Sequence, residues 1–429
     1  MSLSKNWTMR ISEQLRGNNS VLSGNFLVLL LTWVLMYSTQ PIADTYSSLY
    51  FLNLGASPFV LSVMFFTGSL AIAFVQFPGG YLADKHGRKR LISTMSFGLA
   101  LGYLFFIFAP SWEFIVLGMV LQNLCLIYMP AMMALMIDSL DPNKRGTGFN
   151  FQSVFVNLIS LPAPLLAASL VLVNGEYRAP QSNVGMRVAY AIVFVAYLIA
   201  AFLRVKLKET LGSTDKNSHP RFLQAFRKYP AVVKESWYVW GKVPMSAFYL
   251  FLTTIGINSL VAACHIYFVV YATEILKISG SEYAWVIALM YLSIAIPSIL
   301  AGFKMDSVGR KQFLILGYIL YIPSMFMFVV ATNFYLMFTA FFLFGLGNIL
   351  RVNSSQVLLG DLIPRELRGK AVGFLQFFLY VTQAMVYLLM GFLYEYVAPW
   401  LPFVLLAIAA APFGLLATLK ISEPKTKEI

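Results

Sequence analysis

The chain has 429 residues, of which 59% are hydrophobic and only 11% charged, against about 25% charged in an ordinary soluble domain. A core cannot hide that much apolar surface, so the solvent of most side chains is lipid. The formal charge of +13 raises nucleic acid as a partner, and the two cysteines, Cys125 and Cys264, lie inside apolar runs and argue against a disulfide framework.

Residues 1–23 are polar and weakly amphipathic and predict a helix lying at a membrane surface. Lys5, Arg10 and Arg16 precede an apolar run too long for a signal-peptide h-region. Twelve runs follow, each near the roughly 20 residues that cross a bilayer as helix. They cover 24–51, 57–82, 91–109, 113–137, 147–173, 187–205, 245–275, 281–303, 312–331, 334–359, 370–396 and 399–419. Lipid offers no partner to a free backbone amide, so the spans are helices. The expected fold class is an all-α membrane protein of twelve helices in two groups of six, 24–205 and 245–419, with a tail at 420–429. Between the groups, 206–244 carries Phe222, Phe226, Trp237, Tyr238 and Trp240 among basic residues, which predicts an interfacial helix. The polar loop 174–187 carries no recognisable chemistry.

With both termini placed in the cytoplasm, nearly all of the 31 Lys and Arg fall on that side. Arg178, Arg187 and Lys277 fall outside, and Arg351 lies within a helix. This is the positive-inside pattern. The net charge is therefore a topology signal directed at anionic lipid, and nucleic acid is not an expected partner.

The stretch Gly80-Tyr-Leu-Ala-Asp84-Lys-His-Gly87-Arg88-Lys89-Arg90 is expected to be a basic loop pinned between two spans. Gly302-Phe-Lys-Met-Asp306-Ser-Val-Gly309-Arg310-Lys311 repeats it at an offset of 222 residues (Asp84 to Asp306, Arg88 to Arg310). Asp138, followed by Arg145-Gly146, recurs as Asp361, followed by Arg368-Gly369. Asp44-x-Tyr46-x-x-x-Tyr50 aligns with His265-x-Tyr267-x-x-x-Tyr271, and Leu54-Gly-Ala-Ser57 with Leu276-Lys-Ile-Ser279. A common register across three loops and a helix pair indicates duplication.

The first copy resembles the loop between helices 2 and 3 of the major facilitator superfamily, G-x-L-x-D-R-x-G-R-K/R, with Lys85 in place of the first Arg. The resemblance covers all twelve helices. It implies that Asp84 meets the start of helix 11 and holds a cytoplasmic gate shut, and that Asp138 pairs with Arg88. Asp306, Arg310 and Asp361 would form the counterpart. Gly80, Gly87, Gly302 and Gly309 would allow the close turns, and Lys89, Lys311, Arg145 and Arg368 complete the basic set. In helix 5, Ala163-Pro164-Leu-Leu-Ala167-Ala168 departs from the G-P-x-x-G-G of drug antiporters by replacing every Gly. The Asp361-Leu-Ile-Pro364-x-x-x-Arg368-Gly369 stretch is similar to the E-x-x-P-x-x-x-R-G of sugar porters.

A charge inside a span costs about 2.5–3.5 kcal/mol at its centre and is by default functional. Asp44 lies in helix 1, with Gln40 and Ser47 on the same face. His265 has the corresponding height in helix 7, above Asn258. Arg351 in helix 10 stands about 15 Å from Asp361 and has Tyr128 as its repeat partner. Helix 11 adds Gln376, Tyr380, Gln383 and Tyr387 at helical spacing. The resemblance implies that helices 1, 4, 7 and 10 line a solute cavity near the midplane. Asp44 and His265 would exchange protons there, and Arg351 would hold an anionic solute group or act as a counter-charge.

The sequence contains no G-x-x-x-x-G-K-[ST], H-E-x-x-H or G-x-S-x-G, and its three histidines are scattered. An enzyme, an ATP-driven pump, a cofactor and a metal centre are not expected. Duplicated gates argue against a channel or receptor. The resulting expectation is a monomeric secondary active transporter in the plasma membrane, both termini cytoplasmic. It would carry a small organic solute by alternating access with proton symport, the alternative being proton-coupled efflux.

Overall fold

The computed structural model describes residues 24–139, 155–210, 238, 241 and 243–423. The expected surface helix at 1–23, most of the aromatic linker, Arg145 and residues 424–429 lie outside the described residues. So do the side chains of Gly80, Asp84, Gly302, Asp306, Arg368 and Gly369, although their backbones are helical.

The described residues are helical apart from connections and one isolated bridge between Val173 and Glu176. Helix α1 is Gly24–Asp44, continued after a break by Ser47–Asn53. Helices α2 (Pro58–His86) and α3 (Arg88–Ile107) follow. Helix α4 runs Trp112–Cys125, tightens over Leu126–Tyr128 and resumes as Met129–Asp138. Helix α5 is Phe155–Val171 and α6 is Gln181–Val205. The second group begins with α7, Met245–His265, extended by Phe268–Val270 and a wide turn at Tyr271–Ile275. Then come α8 (Gly280–Val308), α9 (Arg310–Val329), α10 (Phe334–Leu362), α11 (Arg365–Phe392, widening over Leu393–Val397) and α12 (Leu401–Lys420). Eleven of the described helices are long and apolar enough to span a bilayer, and α5 is a shorter apolar helix.

Three boundaries differ from the sequence reading. The basic stretch expected as a loop is helix on both sides of one residue: α2 runs to His86, α3 starts at Arg88, and only Gly87 intervenes, at φ +83°. Gly309 does the same between α8 and α9 at φ +105°. That backbone region suits glycine, so the chain reverses within one residue and the helices continue past their apolar runs into charged sequence. The expected span 24–51 is interrupted at Thr45-Tyr46, where the Thr45 hydroxyl and amide both donate to the carbonyl of Pro41, at 2.6 and 3.1 Å. Helix α6 begins at Gln181, inside the expected loop, because its polar first turn carries no hydropathy signal.

Within the first group α3 packs on α6 and α4; within the second, α9 packs on α10 and α12. The two groups meet along α2 against α11 and α5 against α8. Interdigitated aromatics fill the interiors, such as Phe268 among Phe328, Phe341, Phe344 and Phe403. Large apolar side chains such as Phe108, Phe202 and Leu415 are exposed on the outside, as a lipid-facing surface requires. The Gly87 and Gly309 reversals lie at one end of the bundle, here the motif end; the opposite is the far end.

Candidate functional site

Asp44 is the last residue of α1, where the helix breaks one turn after Pro41. Its carboxylate meets the negative end of the helix dipole. Asp44 and His265 are both exposed although they lie deep in the molecule, because their free surface belongs to cavities. The larger cavity, of about 420 Å³, is walled by α1, α2, α3, α4 and α6 of the first group and closed by Tyr380 of α11. The smaller, of about 70 Å³, lies towards α7, α8 and α10 and is lined by His265. Asp44, Ser47 and Phe65 line both cavities.

The residues singled out in the sequence divide accordingly. Gln40, Asp44, Tyr128 and Tyr380 line the larger cavity, and Asp44 and His265 share the smaller. Gln40 accepts a hydrogen bond from Tyr197 at 3.2 Å. Gln383 donates to Tyr387 at 2.8 Å, and neither it nor Gln376 lines these two cavities. Arg351 and Asn258 also stand apart. Arg351 is wholly buried in the second group, where its guanidinium donates to Asn258 (2.6 Å), Asn348 (3.2 Å) and the Tyr321 hydroxyl (3.2 Å) and lies over the Tyr321 ring.

A second buried arginine, Arg204, was counted among the cytoplasmic basic residues; the structure places it inside the first group. It reaches from the last turn of α6 to Thr32 on α1 (3.2 Å), Ser96 on α3 (2.8 Å) and Tyr128 on α4 (3.1 Å), lying over the Tyr128 ring. The repeat register carried a signal: Thr32, Ser96 and Tyr128 align with Thr253, Tyr318 and Arg351 within one residue of the 222 offset. Each half thus buries one cation over a tyrosine, supplied by α6 in the first and α10 in the second. Arg204 Nη2 and Arg351 Nη1 have no partner in the structure.

At the motif end, Arg88 forms an ion pair with Asp138 and donates to Thr210 at 3.2 Å. Arg310 stands 3.6 Å from Asp361. Two further acids complete these corners and escaped the sequence reading. Glu209, just after α6, accepts the Lys89 amide at 3.0 Å, and Glu423, just after α12, accepts the Lys311 amide at 2.5 Å. Each carboxylate satisfies orphan donors at a helix start, α3 or α9, and favours its positive dipole end.

At the far end the groups are joined directly. Tyr46 donates to the Gly280 carbonyl (2.8 Å), Ser48 to that of Ile266 (2.6 Å), and Tyr267 to that of Pro58 (2.8 Å). Glu395 at the end of α11 accepts from the Ser57 hydroxyl (2.7 Å) and the Phe59 amide (2.5 Å) at the start of α2. Gly391 lies so close to Ser62 that a Cβ there would collide with it. The far end is closed.

The model of the Major Facilitator Superfamily matches residues 21–267 and 251–429. An uncharacterized MFS-type transporter of Methanocaldococcus jannaschii is 22% identical over 79% of this chain and 80% of its own length. A Na(+), Li(+), K(+)/H(+) antiporter of Planococcus maritimus is 22% identical over 68% of this chain and 71% of its own. Among solved structures, a peptide transporter in complex with sulfate superposes with a TM-score of 0.71 at 15% identity, covering 92% of this chain and 93% of that one. A nucleoside transporter superposes with 0.67 at 12% identity, covering 93% and 100%.

Proposed function

The chain belongs to the major facilitator superfamily, and we propose that it is a proton-coupled secondary transporter that carries a small organic solute by alternating access, with Asp44 as the group that takes and releases the proton. The observation that carries this reading is the position of Asp44 in the wall shared by the two cavities, with no Lys or Arg among the described residues lining either. A carboxylate without a cation beside it, at the negative end of a helix dipole, is neutralised by a proton or by a cationic ligand. His265, on the other side of the smaller cavity, is the second group able to exchange protons.

The sequence favoured symport, with Arg351 holding an anionic solute group or acting as a counter-charge to Asp44. Arg351 is instead engaged by Asn258, Asn348 and Tyr321, away from both cavities. Exchange of a proton for the solute at Asp44 is the reading this geometry supports, and the Planococcus antiporter, which exchanges cations for protons by its name, supports it by relationship. The motif end would face the cytoplasm, by the positive-inside pattern.

The test begins with a thermal-shift screen of sugars, organic acids, amino acids and organic cations, and continues with the hit in proteoliposomes. Asp44→Asn should abolish accumulation driven by a pH gradient while counterflow persists at solute concentrations raised to offset weaker binding, because counterflow needs the conformational cycle without net proton movement. Accumulation against a gradient with unchanged pH dependence in Asp44→Asn would rule out Asp44 as the coupling group.

A further inference from the structure

The wall of the larger cavity narrows the chemistry of the solute. Its aromatic side chains come from six helices, among them Trp33 and Tyr37 on α1, Phe65 on α2, Tyr103 on α3, Tyr128 on α4, Tyr197 on α6 and Tyr380 on α11. Tyr103 and Tyr197 meet edge to face at 4.9 Å, so the box is built rather than loosely lined. Its amides are neutral and partly engaged: the Gln122 nitrogen donates to the Leu99 carbonyl (3.3 Å), the Asn123 nitrogen to that of Met119 (2.8 Å), and the Gln40 oxygen accepts from Tyr197 (3.2 Å). Among the described residues the wall offers π faces, neutral hydroxyl and amide groups and one carboxylate, and no Lys, Arg or His.

From this we infer that the larger cavity takes an organic cation, an amine or quaternary ammonium on an apolar or aromatic body, with its charge at Asp44. Ring faces attract a desolvated cation, and aromatic cages recognise quaternary ammonium groups in this way. A carboxylate or phosphate would find no cationic side chain among the described lining residues and would face the Asp44 carboxylate. A volume of about 420 Å³ falls within the range of small-molecule pockets. The cavity reaches from Asp44 to Trp33, eleven residues or about 16 Å along α1. The nearest buried cation, Arg204, lies at the Trp33 end behind the Tyr128 ring, so the charge of the solute belongs at the other end.

The inference rests on the reading of Asp44 as the coupling group, and joins substrate and proton in one exchange. The protonated carboxylic acid gives up its proton to water as the ammonium enters, and the carboxylate pairs with the cation; charge and atoms balance with no other reactant. The groups around Asp44 that titrate or carry charge are His265 on α7, Tyr103 on α3, Tyr190 and Tyr197 on α6, Tyr291 on α8 and Tyr380 on α11. None of them is a fixed cation.

The probe is benzyltrimethylammonium, with phenylacetate as its anionic counterpart, in equilibrium dialysis against the purified full-length protein. Benzyltrimethylammonium should bind saturably, at least tenfold more weakly to Asp44→Asn and severalfold more weakly to Tyr380→Leu, with binding kept in Asp44→Glu. In unbuffered solution its binding should release a proton, which must come from the protein because a quaternary ammonium has none to lose. Preference for phenylacetate, equal binding by Asp44→Asn, or no binding of the ammonium at millimolar concentration would overturn the inference. The two readings fail separately. Saturable ammonium binding at Asp44 without proton release keeps the solute class and removes Asp44 as the coupling group. Counterflow of an anion coupled through Asp44 keeps the coupling and removes the cation.

Discussion

Among the described residues, Arg204 and Arg351 are the two charges that the bundle buries completely. A guanidinium in an apolar interior persists where most of its donors are met, since each buried polar group left unpaired costs about 1–3 kcal/mol. Arg204 ties together α1, α3, α4 and α6 through three hydroxyls. Replacing it with Ala would leave the hydroxyls of Thr32, Ser96 and Tyr128 without this donor and open a cavity. The expected loss is on the order of 3 kcal/mol, read as a lowered thermal midpoint in detergent. Arg204→Lys should not restore it, because a single ammonium lacks the planar fork that reaches three helices at once. A Lys variant as stable as the native chain would show that the charge alone matters. Asp44 and His265 were legible in the sequence because each is a polar interruption of an apolar run. Arg204 was not, because Lys206 and Lys208 follow it and the three together read as a headgroup anchor. Hydropathy does not say which way a terminal arginine turns. Helical geometry does, since Cα–Cβ bonds tilt towards the helix N-terminus, which for a residue in the last turn of α6 points back into the bundle.

The start of α2 shows how one element depends on another half of the molecule. In the second repeat, α8 is capped by its own residues: Ser279 and Glu282 exchange hydrogen bonds in a capping box, at 3.2 Å from the Glu282 amide and 3.0 Å from the Ser279 amide. The 222 offset puts Ser57 opposite Ser279 but Val60 opposite Glu282, so α2 lacks the acid. Glu395 of α11 supplies it across the boundary between the groups. The superfamily resemblance assigns Asp84, near the end of α2, to the start of α11; Glu395 is the same device at the far end with donor and acceptor helices exchanged. Opening the far end must break this cap. Glu395→Gln should weaken it by on the order of 1–2 kcal/mol, enough to change a two-state ratio five- to thirtyfold. A single cysteine at Ser47, which lines both cavities, reports the change: a membrane-impermeant thiol reagent added on the far side should label it faster in the Glu395→Gln background. Equal labelling rates would mean that Glu395 caps α2 without holding the gate. The helices themselves were legible from apolar runs, but their ends were not. α2 and α8 continue into Asp84–His86 and Asp306–Val308, where hydrogen bonding and a glycine reversal, rather than hydrophobicity, decide where helix stops.

At the scale of the whole molecule, two six-helix groups are closed against each other at the far end, while the described ion pairs at the motif end, Arg88 with Asp138 and Arg310 with Asp361, each stay within one group. Rocking the groups about the midplane, as alternating access would require, would break the far-end contacts and leave these corners intact. The corners also hold the basic residues that orient the protein. Lys89 and Lys311 start α3 and α9 at the same end as the linker and the last turn of α12, whereas Arg178 and Lys277 lie at the far end. Moving either set through lipid would cost several kcal/mol, so the positive-inside rule predicts the motif end on the cytoplasmic side. Both native cysteines are buried, so a cysteine-free background needs only Cys125→Ala and Cys264→Ala. Single cysteines at exposed Gly241 and exposed Asn174 should then react with an impermeant maleimide from opposite faces, Gly241 from the cytoplasm and Asn174 from outside. That outcome is expected because α6 is the one long apolar helix among the described residues between the two positions. Labelling of both from one face would leave α6 uncrossed and overturn the arrangement of six helices on each side of the linker. Labelling from opposite faces but in the reverse order would keep the helices and invert the molecule, placing the closed far end on the cytoplasmic side.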